Sequence, residues 1–313
     1  MTIYFAPIAR LLGDLVVSFP PLQSLIKGNE EVCLVLRSSA QEGLAERIPG
    51  LSKTVKEVDF LKLDLGTDSR VYNLRDHRLQ TDYVWGSPEF NLRYPGYRIG
   101  EVIRDICNDF GILHGQENLE PLKVIPRDDC RDRVILIPGT AGPFKRWPSS
   151  NWLRLAQELL FLRVSVVLIG EPRYNNQVAE LMKAGLPWVP TQKLADALDA
   201  ISSARGVVAV DTGLMHLAVH QGLNTVALFR ENTMFLRDYP NVKYIVAAPC
   251  VKECREKEFD FSPNSNTTFN EWSSDKIFEF WSNLSCQKGQ DEGCMSLITV
   301  ESVLELMQQR SFF

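Results

Sequence analysis

Short runs of consecutive apolar residues alternate with helically spaced ones along most of the chain. TIYFAPI (2–8), EVCLVLRSS (31–39), TVKEVDF (54–60) and VYNLRDHR (71–78) predict strands. Leu15, Val16, Phe19, Leu22, Leu25 and Ile26 keep helical spacing, which predicts a loop and then a helix. Pro20 and Pro21 inside that pattern mean a kink or a late start. EGLAERIPG (42–50) reads as a short helix closed by Pro49-Gly50, and YRIGEVIRDICNDFGIL (97–113) as an amphipathic one. Strands alternating with helices imply a mostly parallel sheet with helices on its faces.

A second series has the same pattern. RVILIPG (133–139), SVVLIGE (165–171), GVVAV (206–210), TVALF (225–229) and KYIVAAP (243–249) predict strands, most of them too apolar for one face to meet water. NWLRLAQELLFL (151–162), NNQVAELMKA (175–184), KLADALDAISSA (193–204) and the stretch from Leu214 to Gln221 predict helices. Ser149 or Ser150 is the expected N-cap of the first, and Thr299 that of a last helix in LITVESVLELMQQR (297–310). The polar, proline-containing GQENLEPLKVIPRDDCR (115–131) is the candidate linker. The expected division is a domain over 1–125, a second over 132–300 and a C-terminal helix over 301–313. The aromatic, Pro- and Gly-rich TDYVWGSPEFNLRYPGYR (81–98) reads as a surface loop or a substrate-contacting one, and CREKEFDFSPNSNTTFNEWSS (254–274) as loop.

Composition narrows the function classes. A length of 313 residues suits two domains of ordinary size. A net charge of −5 without a long basic run argues against broad nucleic-acid binding. No apolar run is long enough to span a membrane. MTIYFAPIARLLGD has neither a basic n-region nor a small-residue cleavage site, so a cytosolic chain is expected, with a peripheral membrane contact left open. Cys250, Cys254, Cys286 and Cys294 cluster late in the chain, and in the cytosol such a cluster is more often metal-binding or redox-active than a disulfide framework.

Polar residues at strand ends carry the candidate chemistry. In a parallel sheet, Gly139-Thr140-Ala141 with Lys145 and Arg146, Gly170-Glu171, Asp211-Thr212-Gly213 with His216, and Phe229-Arg230-Glu231 converge on one edge. A lysine, a histidine and free N–H groups at helix starts suit a diphosphate, and Glu171 could take ribose hydroxyls. Asp211 or Thr212 could equally serve only as a helix cap. Neither GxGxxG nor GxxxxGK[ST] follows a strand, which disfavours a dinucleotide dehydrogenase or a P-loop ATPase. His216 and His220 share a helix face, but HLAVH lacks the Glu of a zinc-protease motif. His216 is expected to face the ligand and His220 to pack. Gly13-Asp14 falls in the loop before the first helix, where Asp14 reads as an N-cap or as a general base at the mouth between two domains.

These stretches, in order, resemble glycosyltransferase family 9, the lipopolysaccharide heptosyltransferases and their relatives. RLLGDLVVSFPPLQSL (10–25) is similar to the family's opening loop and helix, PGTAGPFKRWPSSNWLRLAQEL (138–159) to its phosphate loop, and VVLIGEP (166–172) and VVAVDTGLMHLAVHQGLNTVALF (207–229) to its donor-site strands. The resemblance implies an α/β GT-B fold, two Rossmann-like domains facing across a cleft. It implies an inverting transfer of a heptose-like sugar from a nucleotide sugar, ADP-heptose favoured, to a hydroxyl of a glycolipid or protein at the inner membrane face. Carried over, Asp14 would be the base beside Gly13, and Thr140 and Lys145 would contact phosphate. Glu171 would bind the nucleoside, Asp211 the sugar, and Thr212, Gly213 and His216 the diphosphate or sugar. Lys145 and backbone amides, rather than a metal, would stabilise the leaving diphosphate. The late cysteines resemble the iron-finger segment of autotransporter heptosyltransferases, which implies structural iron or zinc on Cys250, Cys254, Cys286 and Cys294. Arg230-Glu231 departs from the family's Gly-Pro-Thr type turn. The alternative is a non-catalytic sugar-nucleotide binding or scaffold protein of the same fold.

Overall fold

The computed structural model describes residues 1–9, 11–28, 31–81, 92, 98–112, 120–140, 142, 145–173, 175–230, 239–247 and 293–313. They form two compact units, the described residues of the first lying within 1–123 and those of the second within 124–313. Most of the 81–98 stretch, residues 254–274 and Glu231 lie outside the described residues.

The first unit runs β1 (Thr2–Ala6), α1 (Leu12–Val17), α2 (Phe19–Lys27), β2 (Glu31–Leu36), α3 (Ser39–Ala45), β3 (Lys53–Lys56), α4 (Glu57–Phe60), β4 (Ser69–Asn73), α5 (Arg78–Thr81) and α6 (Ile99–Phe110). Its sheet is parallel, in the order β3-β2-β1-β4. The helical pattern containing Pro20 and Pro21 divides into two helices at Ser18, so the helix that carries the prolines has the late start expected of it, while α1 forms where a loop was expected. The prolines sit in the first turn of α2, where missing N–H groups cost nothing. The Ser18 hydroxyl donates to the Asp14 carbonyl (2.6 Å) and accepts from the Ile8 N–H (3.3 Å), which holds the break. The strand expected over 54–60 stops at Lys56, and EVDF forms the one-turn α4. Glu57 meets Arg37 (3.4 Å) and Arg75 (3.3 Å), while Phe60 packs on Ala6 and Val35. Those two anchors wind the segment out of the sheet.

The second unit runs β5 (Val134–Ile137), α7 (Ser149–Phe161), β6 (Val166–Leu168), α8 (Asn176–Lys183), α9 (Leu194–Ser203), β7 (Gly206–Val210), α10 (Gly213–His220), β8 (Thr225–Phe229), β9 (Val242–Val246) and α11 (Val300–Gln309). Its parallel sheet has the order β6-β5-β7-β8-β9. β5, β7 and β8 are buried throughout, as unbroken apolar runs require. Ser149 and Ser150 lie within α7, whose N-cap is Pro148. The Ser149 hydroxyl is instead within hydrogen-bond distance of Glu180. Thr299 does cap α11, accepting from the Ser302 N–H.

The passage between the units is anchored on both sides. Gln23 is buried and bonds both backbone groups of Glu120. The Ile125 N–H donates to Asp199 (2.7 Å) and the Arg127 N–H to the Ser203 hydroxyl (2.8 Å). α11 returns to the core of the second unit through Val300, Val303 and Met307, with Phe312 beyond it. A Cβ on Gly206 would stand 2.5 Å from the Phe312 ring and 3.0 Å from the Asn224 carbonyl. Gly206→Ala is therefore expected to destabilise the protein by about 1–3 kcal/mol through overpacking. A denaturant melt measures this, and Phe312→Leu in the Gly206→Ala background should restore part of the loss.

Candidate functional site

Both sheets change winding direction at a defined place. In the second unit β5 is followed by β6 on one side, and the chain then crosses to β7 on the other. Crevices at such a switch point, beyond the carboxyl ends of the strands, are where open α/β sheets bind ligands. Here the loop after β5 meets the turn after β7. The Thr140 hydroxyl donates to the Asp211 carbonyl (3.0 Å), and Lys145 Nζ lies 2.7 Å from Asp211 Oδ2. His216 Nε2 stands 3.8 Å from the other carboxylate oxygen. Burial opposes a charge on Asp211, but the Lys145 ammonium and His216 outweigh it and hold the carboxyl below the ordinary aspartate range.

Trp147 explains why Lys145 is held there. Its ring is fully buried, donates to the Ile298 carbonyl (2.8 Å) and packs edge-on against Trp152 with centroids 4.9 Å apart. The lysine two residues earlier is thus tethered to the core by its own loop. α10 begins at Gly213 with Thr212 in the N-cap position, but the Thr212 side chain makes no capping hydrogen bond. The cap reading of Asp211 and Thr212 therefore gives way to an aspartate engaged with Lys145. Glu171 follows β6 and pairs with the exposed Arg173 (3.2 Å) instead of joining this cluster. Gly139 abuts the Asn175 side chain, which caps α8. His216 and His220 are both buried. Arg230 ends the β8 run.

In the first unit the order β3-β2-β1-β4 puts the switch point between β1 and β4. Gly13 and Asp14 follow β1 there, although within the first turn of α1 rather than in a loop before it. Asp14 Oδ2 accepts from the Leu11 N–H (2.7 Å). Burial raises its pKa to about 6, more than the Leu11 N–H and the Arg37 guanidinium lower it. Two residues that sequence reasoning passed over complete this site. Arg37, just past β2, donates to Asn73 Oδ1 (2.9 Å) at the end of β4. Gln41 is fully buried, accepts from the Arg37 N–H (2.9 Å) and donates to the Ala9 carbonyl (3.0 Å). The signal was the one used for the second half, a polar residue at the end of an apolar strand.

Among the described residues no group of three or more metal-binding side chains converges. Cys294 is a free thiol in the apolar cluster of the second unit, while Cys250, Cys254 and Cys286 lie outside the described residues. Among the described residues no helix is long and apolar enough to cross a membrane.

The chain is similar to known glycosyltransferases in sequence and in fold. The family model described as "Glycosyltransferase family 9 (heptosyltransferase)" matches residues 116–260. Lipooligosaccharide heptosyltransferase 2 of Haemophilus influenzae is 31% identical over 183 residues, which are 52% of this chain and 51% of that protein. The matched region spans about half the length of the curated relatives. The crystal structure of a family 9 glycosyl transferase from Veillonella parvula superposes with a TM-score of 0.68 at 17% identity, covering 99% of this chain and 96% of that one. E. coli heptosyltransferase WaaC with ADP-2-deoxy-2-fluoro heptose superposes with a TM-score of 0.62 at 14% identity, covering 99% and 100%. These likenesses show the GT-B fold, with two Rossmann-like domains.

Proposed function

We propose that this chain, whose residues 116–260 match the model of glycosyltransferase family 9, is a member of that family and an inverting glycosyltransferase. It moves a heptose-like sugar from a nucleotide-diphosphate donor to a hydroxyl of a glycan, glycolipid or protein. The observation that carries the reading is the meeting of Thr140, Lys145, Asp211 and His216 at the switch point of the second sheet. ADP-heptose is the favoured donor, since WaaC is described with an ADP-heptose analogue. Work at the cytoplasmic face of the inner membrane belongs to the same reading.

The donor diphosphate meets the Lys145 ammonium and the free N–H groups at the start of α10, both suited to negative charge. Glu171 leaves Arg173 to accept ribose hydroxyls, and Asp211, Thr212 and His216 receive the sugar. The acceptor oxygen attacks the anomeric carbon from the face opposite the diphosphate. As the new C–O bond forms, the bond to the phosphate oxygen breaks and its electron pair leaves on the diphosphate. Asp14 takes the acceptor's proton, so it must start ionised. With its pKa raised to about 6, kcat/KM is expected to climb roughly tenfold per pH unit below that value and to level above it. Coupled ADP-release assays across pH measure this, and NMR of the product linkage tests inversion. A retained anomeric configuration, or a rate flat from pH 5 to 7 (on the order of 1 unit either side of that pKa), would remove this mechanism. Tight ADP-heptose binding without ADP release on any acceptor would replace it with the non-catalytic reading.

Structural iron or zinc held by Cys250, Cys254, Cys286 and Cys294 is part of the same proposal, resting on the four thiols in the sequence. Metal analysis of protein purified anaerobically tests it, and finding neither metal removes it.

A further inference from the structure

The edge of the second sheet opposite Lys145 and Asp211 has a different character. α7 buries Trp152, Leu155 and Leu159 in the core, yet continues into Leu160, Phe161 and Leu162, which are 70%, 85% and 43% exposed. Three consecutive apolar side chains at a helix end are an unusual thing to leave in water. The turn beyond them carries Arg163, and the Val164 N–H returns to the Leu159 carbonyl (2.8 Å). Parallel register sets Val134 of β5 beside Val166 of β6 and Gly206 of β7, so the residues preceding these strands share one rim. The Val134 N–H donates to the Ser165 carbonyl and the Arg205 N–H to the Arg133 carbonyl, which sets Arg133 and Arg205 side by side on the rim that the Arg163 turn enters. Among the described residues none of the three makes an ion pair. The neighbouring Arg127 and Arg131 are matched by Asp129 and Asp128. Among the described residues, Asp132 and the half-buried Glu158, one turn back on α7, adjoin these arginines in the chain, and Asp196 acts on Arg127. On a chain of net charge −5, the arginines here (Arg127, Arg131, Arg133, Arg163 and Arg205) outnumber the acids adjoining them in the chain (Asp128, Asp129, Asp132 and Glu158) by one.

We propose that this rim docks the protein on an anionic phospholipid surface, with Leu160, Phe161 and Leu162 entering the headgroup boundary and Arg133, Arg163 and Arg205 meeting lipid phosphates. An exposed apolar tip on a rim with three guanidiniums that make no ion pair among the described residues matches both parts of such an interface, the acyl edge and the negative surface. Neutral membranes supply only the first part, and an acidic protein only the second. Docking by this edge leaves the opposite edge of the same sheet, with Lys145 and Asp211, open to ligand.

Cosedimentation of the full chain with phosphatidylcholine vesicles, with and without about one-third phosphatidylglycerol, tests this. Binding is expected on the anionic vesicles, and weakly or not at all on the neutral ones. It should fall as salt rises, because the Debye length shrinks from about 10 Å at 0.1 M to about 3 Å at 1 M. Arg163→Glu with Arg205→Glu, and separately Phe161→Ser, should each lower partitioning at least roughly tenfold. All three positions are exposed, so the melting temperature should stay near wild type. Equal binding to both vesicles, no binding by the wild type, or variants that bind like it would overturn the proposal. So would variants that change the sedimentation coefficient instead of vesicle binding, since the rim would then be an interface between copies. ADP release from donor and soluble acceptor reads the Lys145 edge independently, so a failure of the transferase reading would be visible separately.

Discussion

Asp14→Asn is expected to abolish most turnover and to raise the melting temperature. The carboxyl is partly buried in the first turn of α1 and its pKa is raised from 3.8 to about 6, because burial opposes the charge more than its partners favour it. The sign follows from linkage. Below the unfolded value of 3.8 the group is protonated in both states and costs nothing. As pH rises from 3.8 through about 6 the unfolded chain gives up the proton more readily than the folded one, and stability is lost across that window. At pH 7 the loss amounts to about 2–3 kcal/mol. Asparagine keeps an oxygen for the Leu11 N–H without the charge. Its stabilising effect should therefore grow between pH 4 and 6 (on the order of 2 units) and stay constant above. Turnover should fall by about 10²–10⁴, the usual worth of a general base. Thermal melts across pH and ADP-release assays read the two halves. A variant less stable than wild type at neutral pH would mean the carboxylate is held by favourable contacts rather than strained by burial.

Lys145→Met should act in the opposite direction on stability. Lys145 and Asp211 are 16% and 14% exposed and 2.7 Å apart. Removing the ammonium leaves a buried carboxylate with His216 as its one remaining charged neighbour among the described residues, at a cost of about 3 kcal/mol or more. Asp211→Asn in the Lys145→Met background removes the stranded charge and should restore much of that loss. Donor affinity should not return in the double variant if Lys145 is the cation that meets the diphosphate, as proposed, because nothing replaces it. Calorimetric titration with ADP and denaturant melts of the four proteins form a cycle. Additive stability losses would show that the pair is not coupled. Recovered ADP affinity in the double variant would show that Lys145 serves Asp211 and not the ligand.

Much of the second unit was legible because its chemistry is local. VILI, GVVAV and TVALF are buried on both faces, where near-continuous apolar runs belong in a parallel α/β sheet, Thr225 being their one polar side chain. The polar residues that end these runs then had to lie on one edge, and Thr140, Lys145 and Asp211 meet there. Glu171 followed the same logic, yet its side chain turns to Arg173, two residues on, since an exposed guanidinium nearby is a ready partner. The first unit was harder. The edge strand β3 is mostly exposed, so it carries little apolar signal, and its neighbour EVDF left the sheet for ion pairs with Arg37 and Arg75. The break at Ser18 depends on a hydroxyl reaching the Ile8 N–H, ten residues away.

The sequence by itself determined the alternation of strand and helix, the two-unit organisation and the residue types at the strand ends, because burial and periodicity act within a few residues. Tertiary structure alone decided the state of those residues. Asp14 and Asp211 are the same side chain in similar positions, each following a strand at a switch point. One is pushed up to about 6 because burial exceeds what Leu11 and Arg37 return. The other is held low because Lys145, 66 residues away in the chain, comes within 2.7 Å. A carboxyl's charge depends on what the fold brings beside it and how much water it takes away, and neither quantity is written in the residues next to it.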